Sequence, residues 1–145
     1  MNTIEIPFEI INLDDQQNIL LIVNGELGEQ PVRLVIDTGA SHSCLSKKII
    51  KNLNHKKEKK ADLVIGIGRG KLNNKLVYIP NFKIGEWGIQ DYPFLTLSLS
   101  HINKMMSFMD MKPIDGFLGS DILYAYKAVI DYNTQIIHLQ ITGNE

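Results

Sequence analysis

The sequence has little cysteine, alanine or net charge, and its apolar runs are short. A single cysteine, Cys44, among 145 residues excludes an internal disulfide and a cysteine-based zinc site. Lysine and arginine number 15 and acidic residues 16, so the formal net charge of −1 indicates neither a nucleic-acid nor a membrane partner. The longest apolar run, residues 19–23, is far shorter than the ~18 residues of a membrane-spanning helix.

The start of the chain lacks the features of a secretion signal. Residues 1–5 have neither the basic start nor the apolar stretch of a signal peptide. Together with the lone cysteine, this favours a cytoplasmic protein. The alternative that a leader was removed earlier stays open. The length fits one domain, residues 1–145, and 44% hydrophobic with 21% charged residues excludes a disordered chain.

The composition favours strands over helices. Isoleucine, valine and threonine are common while alanine is scarce, and β-branched side chains fit a pleated sheet better than a helix. Apolar and polar residues alternate in residues 4–10, 95–99 and 137–141, which is typical of strands with one buried face. Further strands are predicted at residues 18–24, 31–36, 61–67, 71–83 and 126–131.

Turn residues separate the predicted strands. Asn24-Gly25 and Gly28 predict the turn between two of them, and Asn133-Thr134 predicts a hairpin near the end of the chain. Gly68-Arg69-Gly70 lies between two long strand-like segments and predicts another hairpin tip.

Helical signals are few and short. Ser46 can cap a helix over residues 47–52, and Ser120-Asp121 can begin a turn or two ending at Tyr124. Residues 100–110 fit either a short helix or a loop. Many short strands with few helices indicate an all-β barrel or sandwich.

One segment concentrates the chemistry, Pro31-Val32-Arg33-Leu34-Val35-Ile36-Asp37-Thr38-Gly39-Ala40-Ser41. An apolar strand ends in the carboxylate Asp37, followed by the hydroxyl of Thr38 and then Gly39. A carboxylate inside the buried strand would be costly without a partner, whereas Gly39 lets the chain turn sharply and another chain approach. Taken alone, the triplet fits a reactive carboxylate or a simple capped turn.

Three segments in this order resemble motifs of the aspartic proteases. Residues 31–41 resemble the catalytic signature, and Ile65-Gly66-Ile67-Gly68-Arg69-Gly70 resembles the flap that closes over substrate. Residues 114–123 resemble the later motif, in which Phe117, Leu118 and Gly119 precede a short helix. Residues 128–139 are similar to the closing hairpin of the single-domain, retropepsin-like branch, so the resemblance covers about residues 7–139.

The resemblance implies a closed, barrel-like acid-protease fold, all-β with one or two short helices, and an aspartic endopeptidase. It implies that Asp37 activates the attacking water, that Thr38 braces the active-site loops and that Gly39 shapes them. The same resemblance assigns a flap over the substrate and a structural second motif. The flap residues are Ile67, Gly68, Arg69 and Gly70, and the second-motif residues are Phe117, Leu118 and Gly119.

The number of catalytic motifs predicts the assembly. Aspartic protease chemistry needs two carboxylates that share a proton, one acting as base toward water and the other as acid toward the scissile carbonyl. The chain has one Asp-Thr-Gly, because Asp115-Gly116 lacks the hydroxyl. We therefore expect a homodimer that acts on a peptide or protein substrate, with no cofactor, no metal, no nucleic acid and no membrane. The alternative is a non-catalytic dimeric peptide-binding module that retains the fold.

Other features favour structural interpretations. His42 with Cys44 suggests a thiol nucleophile, but a small buried cysteine is the simpler interpretation. The four histidines show no metal-ligand spacing, and we interpret all of them as surface residues. The segment from Met105 to Met111 predicts a soft apolar cover on the core, with an interface role open. A cluster of lysines predicts a solvated face, and binding of an acidic partner is the alternative. The cluster comprises Lys47, Lys48, Lys51, Lys56, Lys57, Lys59 and Lys60.

Overall fold

The computed structural model describes residues 2–14, 18–53 and 75–141, together with the backbone of residues 57–60. The predicted strand at residues 61–67, the hairpin tip at Gly68-Arg69-Gly70 and the start of the predicted strand 71–83 lie outside the described residues. The flap residues Ile67, Gly68, Arg69 and Gly70 therefore lie outside them as well.

The described residues form 11 strands and three helices. The strands are β1 (Asn2–Pro7), β2 (Glu9–Asn12), β3 (Ile19–Leu27), β4 (Gln30–Ile36), β5 (Cys44–Ser46), β6 (Lys57–Lys60), β7 (Lys75–Ile84), β8 (Trp87–Leu97), β9 (Gly116–Leu118), β10 (Val129–Asp131) and β11 (Ile136–Ile141). The helices are α1 (Lys47–Lys51), α2 (Ser100–Phe108) and α3 (Ser120–Ala125). The sequence of residues 100–110 fits either a helix or a loop, and the structure has a helix there.

The larger sheet closes on itself. Its strand order is β2-β3-β4-β9-β5-β8-β7-β6, and β3 also pairs with β7 at Leu27 and Phe82. The ring β3-β4-β9-β5-β8-β7 is therefore a barrel of six strands, and its interior holds the main core. The expected all-β, closed barrel-like fold is confirmed. A smaller sheet, β1-β11-β10, joins the two ends of the described chain.

Two neighbouring strands of the barrel run parallel where the sequence places its catalytic signature. β4 pairs with β9 so that Val35 lies opposite Phe117 and Ile36 opposite Leu118. Successive side chains of a strand point to opposite faces, so Leu34 and Ile36 enter the main core while Val35 faces the other way. Val35 packs there in a second cluster that includes Met106 of α2, so α2 covers that face of the barrel.

The predicted turn at Asn24-Gly25 is wrong. Both residues lie inside β3, and the chain turns at Gly28, whose φ of +63° suits glycine. Gly25 is needed inside the strand for a different reason. A Cβ at Gly25 would lie 2.9 Å from the backbone oxygen of Lys83, so the glycine permits the close approach of β3 and β7.

Strand β8 is longer than the alternation at residues 95–99 predicts. It begins at Trp87, directly after a turn at Gly85 with a φ of +58°, and forms a long hairpin with β7. Its first half alternates poorly between buried and exposed residues, which hides it from a period-two search. Leu99, the last residue of the alternating segment, precedes α2 instead of continuing the strand.

Several local predictions are confirmed. Ser46 caps α1, because its hydroxyl accepts a hydrogen bond of 3.1 Å from the backbone nitrogen of Ile49. The hairpin at Asn133-Thr134 joins β10 to β11, and the carboxylate of Asp131 accepts hydrogen bonds from the backbone nitrogens of both turn residues. These hydrogen bonds lower the pKa of Asp131.

Helix α2 carries the predicted apolar cover. Met106 is buried against the second cluster, while Met105 and Phe108 remain exposed. Lys47, Lys48 and Lys51 are described on α1, where all three are exposed. None of the helices in the described ranges has the length and apolar character needed to cross a membrane.

Candidate active site

Asp37 begins a tight loop at the end of β4. Its backbone nitrogen donates to the oxygen of Leu118 at 3.0 Å, which extends the pairing of β4 with β9 by one residue. Its Oδ1 accepts a hydrogen bond of 2.9 Å from the backbone nitrogen of Gly39, and its backbone oxygen accepts one of 3.1 Å from Ala40. The loop therefore fixes the Asp37 carboxylate, which is half-buried, at its own turn.

The second motif holds this loop from behind. Gly119 is buried, and a Cβ there would lie 2.8 Å from the oxygen of Ala40 and 2.9 Å from the carbonyl carbon of His42. The backbone nitrogen of Ser120 donates to the oxygen of Ala40 at 2.7 Å, and the Ser120 hydroxyl donates to the oxygen of Thr38 at 2.7 Å. Glycine at position 119 thus lets the start of α3 dock directly on the loop.

The structure brings together two of the three predicted groups. Asp37, Thr38 and Gly39 form the loop, with Thr38 and Gly39 exposed. Phe117 and Leu118 lie in β9 beside β4, and Gly119 contacts the loop itself. The predicted flap is not described, so its place relative to Asp37 stays a prediction.

Apolar surface flanks the Asp37 carboxylate on one side. A shallow cavity of about 160 Å³ opens beside Asp37 and Thr38. Its other lining residues come from β3, β4 and the β10 region; they are Ile19, Leu20, Leu21, Val35, Ile36, Ile130 and Tyr132. A larger cavity of about 340 Å³ lies between α1 and α2 and shares no lining residue with the Asp37 loop.

The sequence analysis missed a half-buried polar cluster behind the loop. One carboxylate oxygen of Asp121, Oδ1, accepts hydrogen bonds from the backbone nitrogen and the hydroxyl of Ser43, at 2.9 and 2.8 Å. The other, Oδ2, accepts a hydrogen bond of 2.6 Å from the Tyr92 hydroxyl. Burial and this contact with Asp121 raise the pKa of Tyr92, so Tyr92 remains a hydrogen-bond donor at neutral pH.

The surface interpretation of the histidines is wrong for His42. Its side chain is only 22% exposed, and its ring contacts Asp121 and the backbone of Pro93. His138 is also half-buried, His101 is exposed, and His55 lies outside the described residues. A half-buried histidine in the loop that follows Asp37 has no local sequence pattern, because its partners come from β8 and α3.

The comparisons identify the family of the chain. A family model described as aspartyl protease matches residues 23–122, which include the Asp37 loop and the second motif. The chain belongs to the aspartyl protease family. No curated protein matches it.

Two solved structures share the fold with this member of the aspartyl protease family. A retropepsin-like aspartic protease from Rickettsia conorii is 18% identical with a TM-score of 0.54, and the match covers 95% of this chain and 90% of that one. The retroviral protease-like domain of Ddi1 from Leishmania major is 16% identical with a TM-score of 0.52, covering 85% of this chain and 90% of that one. At these identities the similarity shows a common fold.

Other chemistries find little support in this aspartyl protease-family chain. Cys44 is 3% exposed in β5, and burial raises the pKa of its thiol to about 11, with the charges of Asp37 and Asp121 acting in the same direction. A thiol nucleophile needs a lowered pKa, so the structure gives no support to a Cys44–His42 nucleophile. The interpretation of Cys44 as a small buried cysteine is confirmed. Within the described ranges, no group of three or more His, Cys, Asp or Glu side chains is placed to hold a metal ion.

Burial of Cys44 predicts slow chemical modification. At pH 8 the thiol is almost wholly protonated, since its pKa of about 11 lies well above that pH, and reagent cannot reach it. We expect iodoacetamide to label the native protein at least about 100-fold more slowly than the urea-unfolded protein. Mass spectrometry over time measures both rates, and equal rates would contradict the burial of this thiol.

Proposed function

We propose that the chain is an aspartic endopeptidase that hydrolyses peptide bonds with a water activated by two Asp37 side chains, one from each copy of a homodimer. The observation that carries this proposal is the Asp37 loop, which turns at an exposed Gly39 and is fastened to Gly119. The family match supports the chemistry of peptide hydrolysis. One Asp-Thr-Gly per chain then requires two chains, because one carboxylate cannot serve as both base and acid.

The surface around Asp37 supports association of two copies. Ile19 and Tyr132, which line the shallow cavity, are 46% and 64% exposed. Exposed apolar side chains gathered on one face are typical of an interface. β10 is also an edge strand of its sheet in the described part of the chain. A twofold axis beside Asp37 would cover this surface with the same surface of a second copy.

Each predicted residue then has a role. The two Asp37 carboxylates share one proton, since like charges this close cannot both ionise, and they hold the attacking water between them. Thr38 braces the two loops across the axis, and Gly39 keeps the loop tight. Ile67, Gly68, Arg69 and Gly70 close over an extended peptide and pair with its backbone.

A mixing experiment tests the shared site. Wild-type protein and the Asp37→Asn variant are mixed in equal amounts, unfolded and refolded together. If each site takes one Asp37 from each copy, only wild-type pairs are active, and turnover falls to about a quarter of that of an equal total amount of wild type. A site contained in one chain predicts about a half instead. Turnover is measured with a fluorogenic peptide library at mildly acidic pH.

A matched mixture controls for refolding losses. Wild type refolded with Asp91→Asn, a variant of an exposed aspartate, should keep full turnover. A fall to half with Asp37→Asn would overturn the shared site. Tight peptide binding without any cleavage, unchanged by Asp37→Asn, would instead support the non-catalytic dimeric peptide-binding module.

A further inference from the structure

The cavity of about 340 Å³ between α1 and α2, here called the α1–α2 cavity, takes no part in the Asp37 site. Pockets for small ligands in proteins have volumes of about 300–1,000 Å³, so this one is large enough to hold a ligand. The side chains of Ile49 and Leu99 line it from the core side, where both residues are buried, and Pro113 lines it as well. This apolar lining suits an apolar group of a ligand.

Hydrogen-bond donors also line the α1–α2 cavity. Lys47 and Lys48 of α1 contribute two exposed ammonium groups. Ser98 and Ser100 contribute two hydroxyls, whose oxygens lie 3.1 Å apart. The bond between these hydroxyls uses one of their two hydrogens, so one hydroxyl can still donate to a ligand. Two positive charges and a hydroxyl donor around one cavity favour an anionic group such as a carboxylate.

An acceptor lines the same cavity. Asp115 is half-buried there, and its Oδ2 accepts a hydrogen bond of 2.8 Å from the backbone nitrogen of Arg33. A carboxylate offers about four acceptor positions, so Asp115 can accept a further N–H. Burial raises the pKa of Asp115, although the positive charges of Arg33 and Lys48 act in the opposite direction. The cavity therefore combines positive groups with an acceptor for an N–H.

Hydrogen bonds within the protein hold the walls of the α1–α2 cavity. The backbone nitrogen of Ser46, the residue that caps α1, donates to the backbone oxygen of Asp115 at 2.7 Å. The side-chain amide of Asn103 on α2 donates to the backbone oxygen of Ile114 at 3.0 Å and accepts from its backbone nitrogen at 2.8 Å. Both helices are thus tied to the segment before β9. A pocket that is formed in advance binds a ligand at a lower entropic cost.

We propose that the α1–α2 cavity binds the C-terminal residue of a peptide that ends in an apolar side chain. That side chain packs on Ile49 and Leu99, and the terminal N–H donates to Asp115. The free carboxylate accepts hydrogen bonds from Lys47 and Lys48, which an internal peptide segment cannot do. Peptide hydrolysis creates chain ends of this kind, but the site itself does not depend on the proposed function.

A series of matched peptides tests the chemistry on the wild-type protein by isothermal titration calorimetry. We expect acetyl-alanyl-leucine to bind with a dissociation constant below about 1 mM. Its C-terminal amide should bind at least about tenfold more weakly, because the hydrogen bonds to a charged carboxylate are lost. Acetyl-alanyl-glycine should also bind about tenfold more weakly, because it lacks the apolar side chain. Equal affinity for the acid and the amide, or no binding at about 5 mM, would overturn the site.

Backbone amide shifts locate the bound peptide. On addition of acetyl-alanyl-leucine, the ¹⁵N–¹H signals of Ile49 and Leu99 should move, and that of Gly39 in the Asp37 loop should not. Changes centred on Gly39 would place the peptide at the Asp37 loop and would contradict the proposal.

Two double variants with the same change of charge separate the cavity from general electrostatics. Lys47→Gln with Lys48→Gln should weaken binding of acetyl-alanyl-leucine about tenfold. The control is Lys51→Gln with Lys104→Gln, which removes exposed lysines of α1 and α2 that do not line the cavity. It should bind within about twofold of wild type, and an equal loss in both double variants would refute the site.

The two proposals fail separately. Peptide binding at the α1–α2 cavity by a protein without turnover would overturn the proposed function and leave the site standing. Full turnover in a protein that does not discriminate the acid from the amide at this cavity would overturn the site alone.

Discussion

Replacing Asp37 with asparagine should abolish peptide hydrolysis while leaving the fold intact. An amide neither accepts nor supplies the proton that the reaction moves, so we expect kcat to fall by at least about 1000-fold. The side-chain oxygen of asparagine can still accept the hydrogen bond from Gly39, so the loop keeps its turn. Turnover of a fluorogenic peptide at mildly acidic pH and the thermal midpoint of unfolding measure the two effects.

Asp91→Asn is the matched control for this substitution. Asp91 is exposed on β8 with a φ of +53°, a conformation that asparagine tolerates as well as aspartate. It should retain wild-type turnover. Equal turnover by wild type and Asp37→Asn would remove Asp37 from the mechanism, and an equal loss in both variants would point to a general effect of charge.

Gly116→Ala should destabilise the fold by about 3 kcal/mol, at the upper end of the usual cost of overpacking. A Cβ at this position would lie 2.1 Å from the backbone oxygen of Cys44 and 3.1 Å from Cδ2 of Leu34. Gly116 pairs with β4 on one side and with β5 on the other. The clash involves backbone, so relief requires the three strands beside the Asp37 loop to separate. Urea unfolding followed by circular dichroism gives the change in free energy.

Gly88→Ala tests whether the effect comes from crowding. Gly88 lies exposed in β8, and a Cβ there would meet the oxygen of Phe82 at 3.4 Å, an ordinary contact. Its free energy of unfolding should stay within about 0.5 kcal/mol of wild type. If Gly116→Ala unfolds at the same urea concentration as Gly88→Ala, the close packing of β5 on β9 is refuted.

Much of the fold could be predicted because many strands have one buried face. The alternation at residues 137–141 marks β11, and the apolar run before Asp37 marks β4. The turn predicted at Asn24-Gly25 was wrong because this dipeptide is typical of hairpin turns. In the structure Gly25 lies within β3 and allows β7 to come close. Local sequence carries no information about which distant strand comes close.

Part of the candidate site could likewise be predicted from the sequence, and part could not. The Asp37 loop and the second motif are each contiguous in sequence, so each could be recognised as a pattern, and the structure packs one on the other. The cluster around Asp121 could not be predicted, because His42, Tyr92 and Asp121 come from three segments and no spacing links them. Sequence alone interprets Asp121 as a residue that starts a helix.

The parallel pairing of β4 with β9 has a consequence for biosynthesis. The backbone of Asp37 is held by Leu118, and the two residues are joined by a long stretch of intervening chain. Contacts between residues so far apart form late, because the intervening segment must first be closed into a loop. A ribosome must therefore release the chain through Leu118 before the backbone of Asp37 can pair with that residue. A nascent chain whose Leu118 is still inside the exit tunnel carries Asp37 without the support of β9.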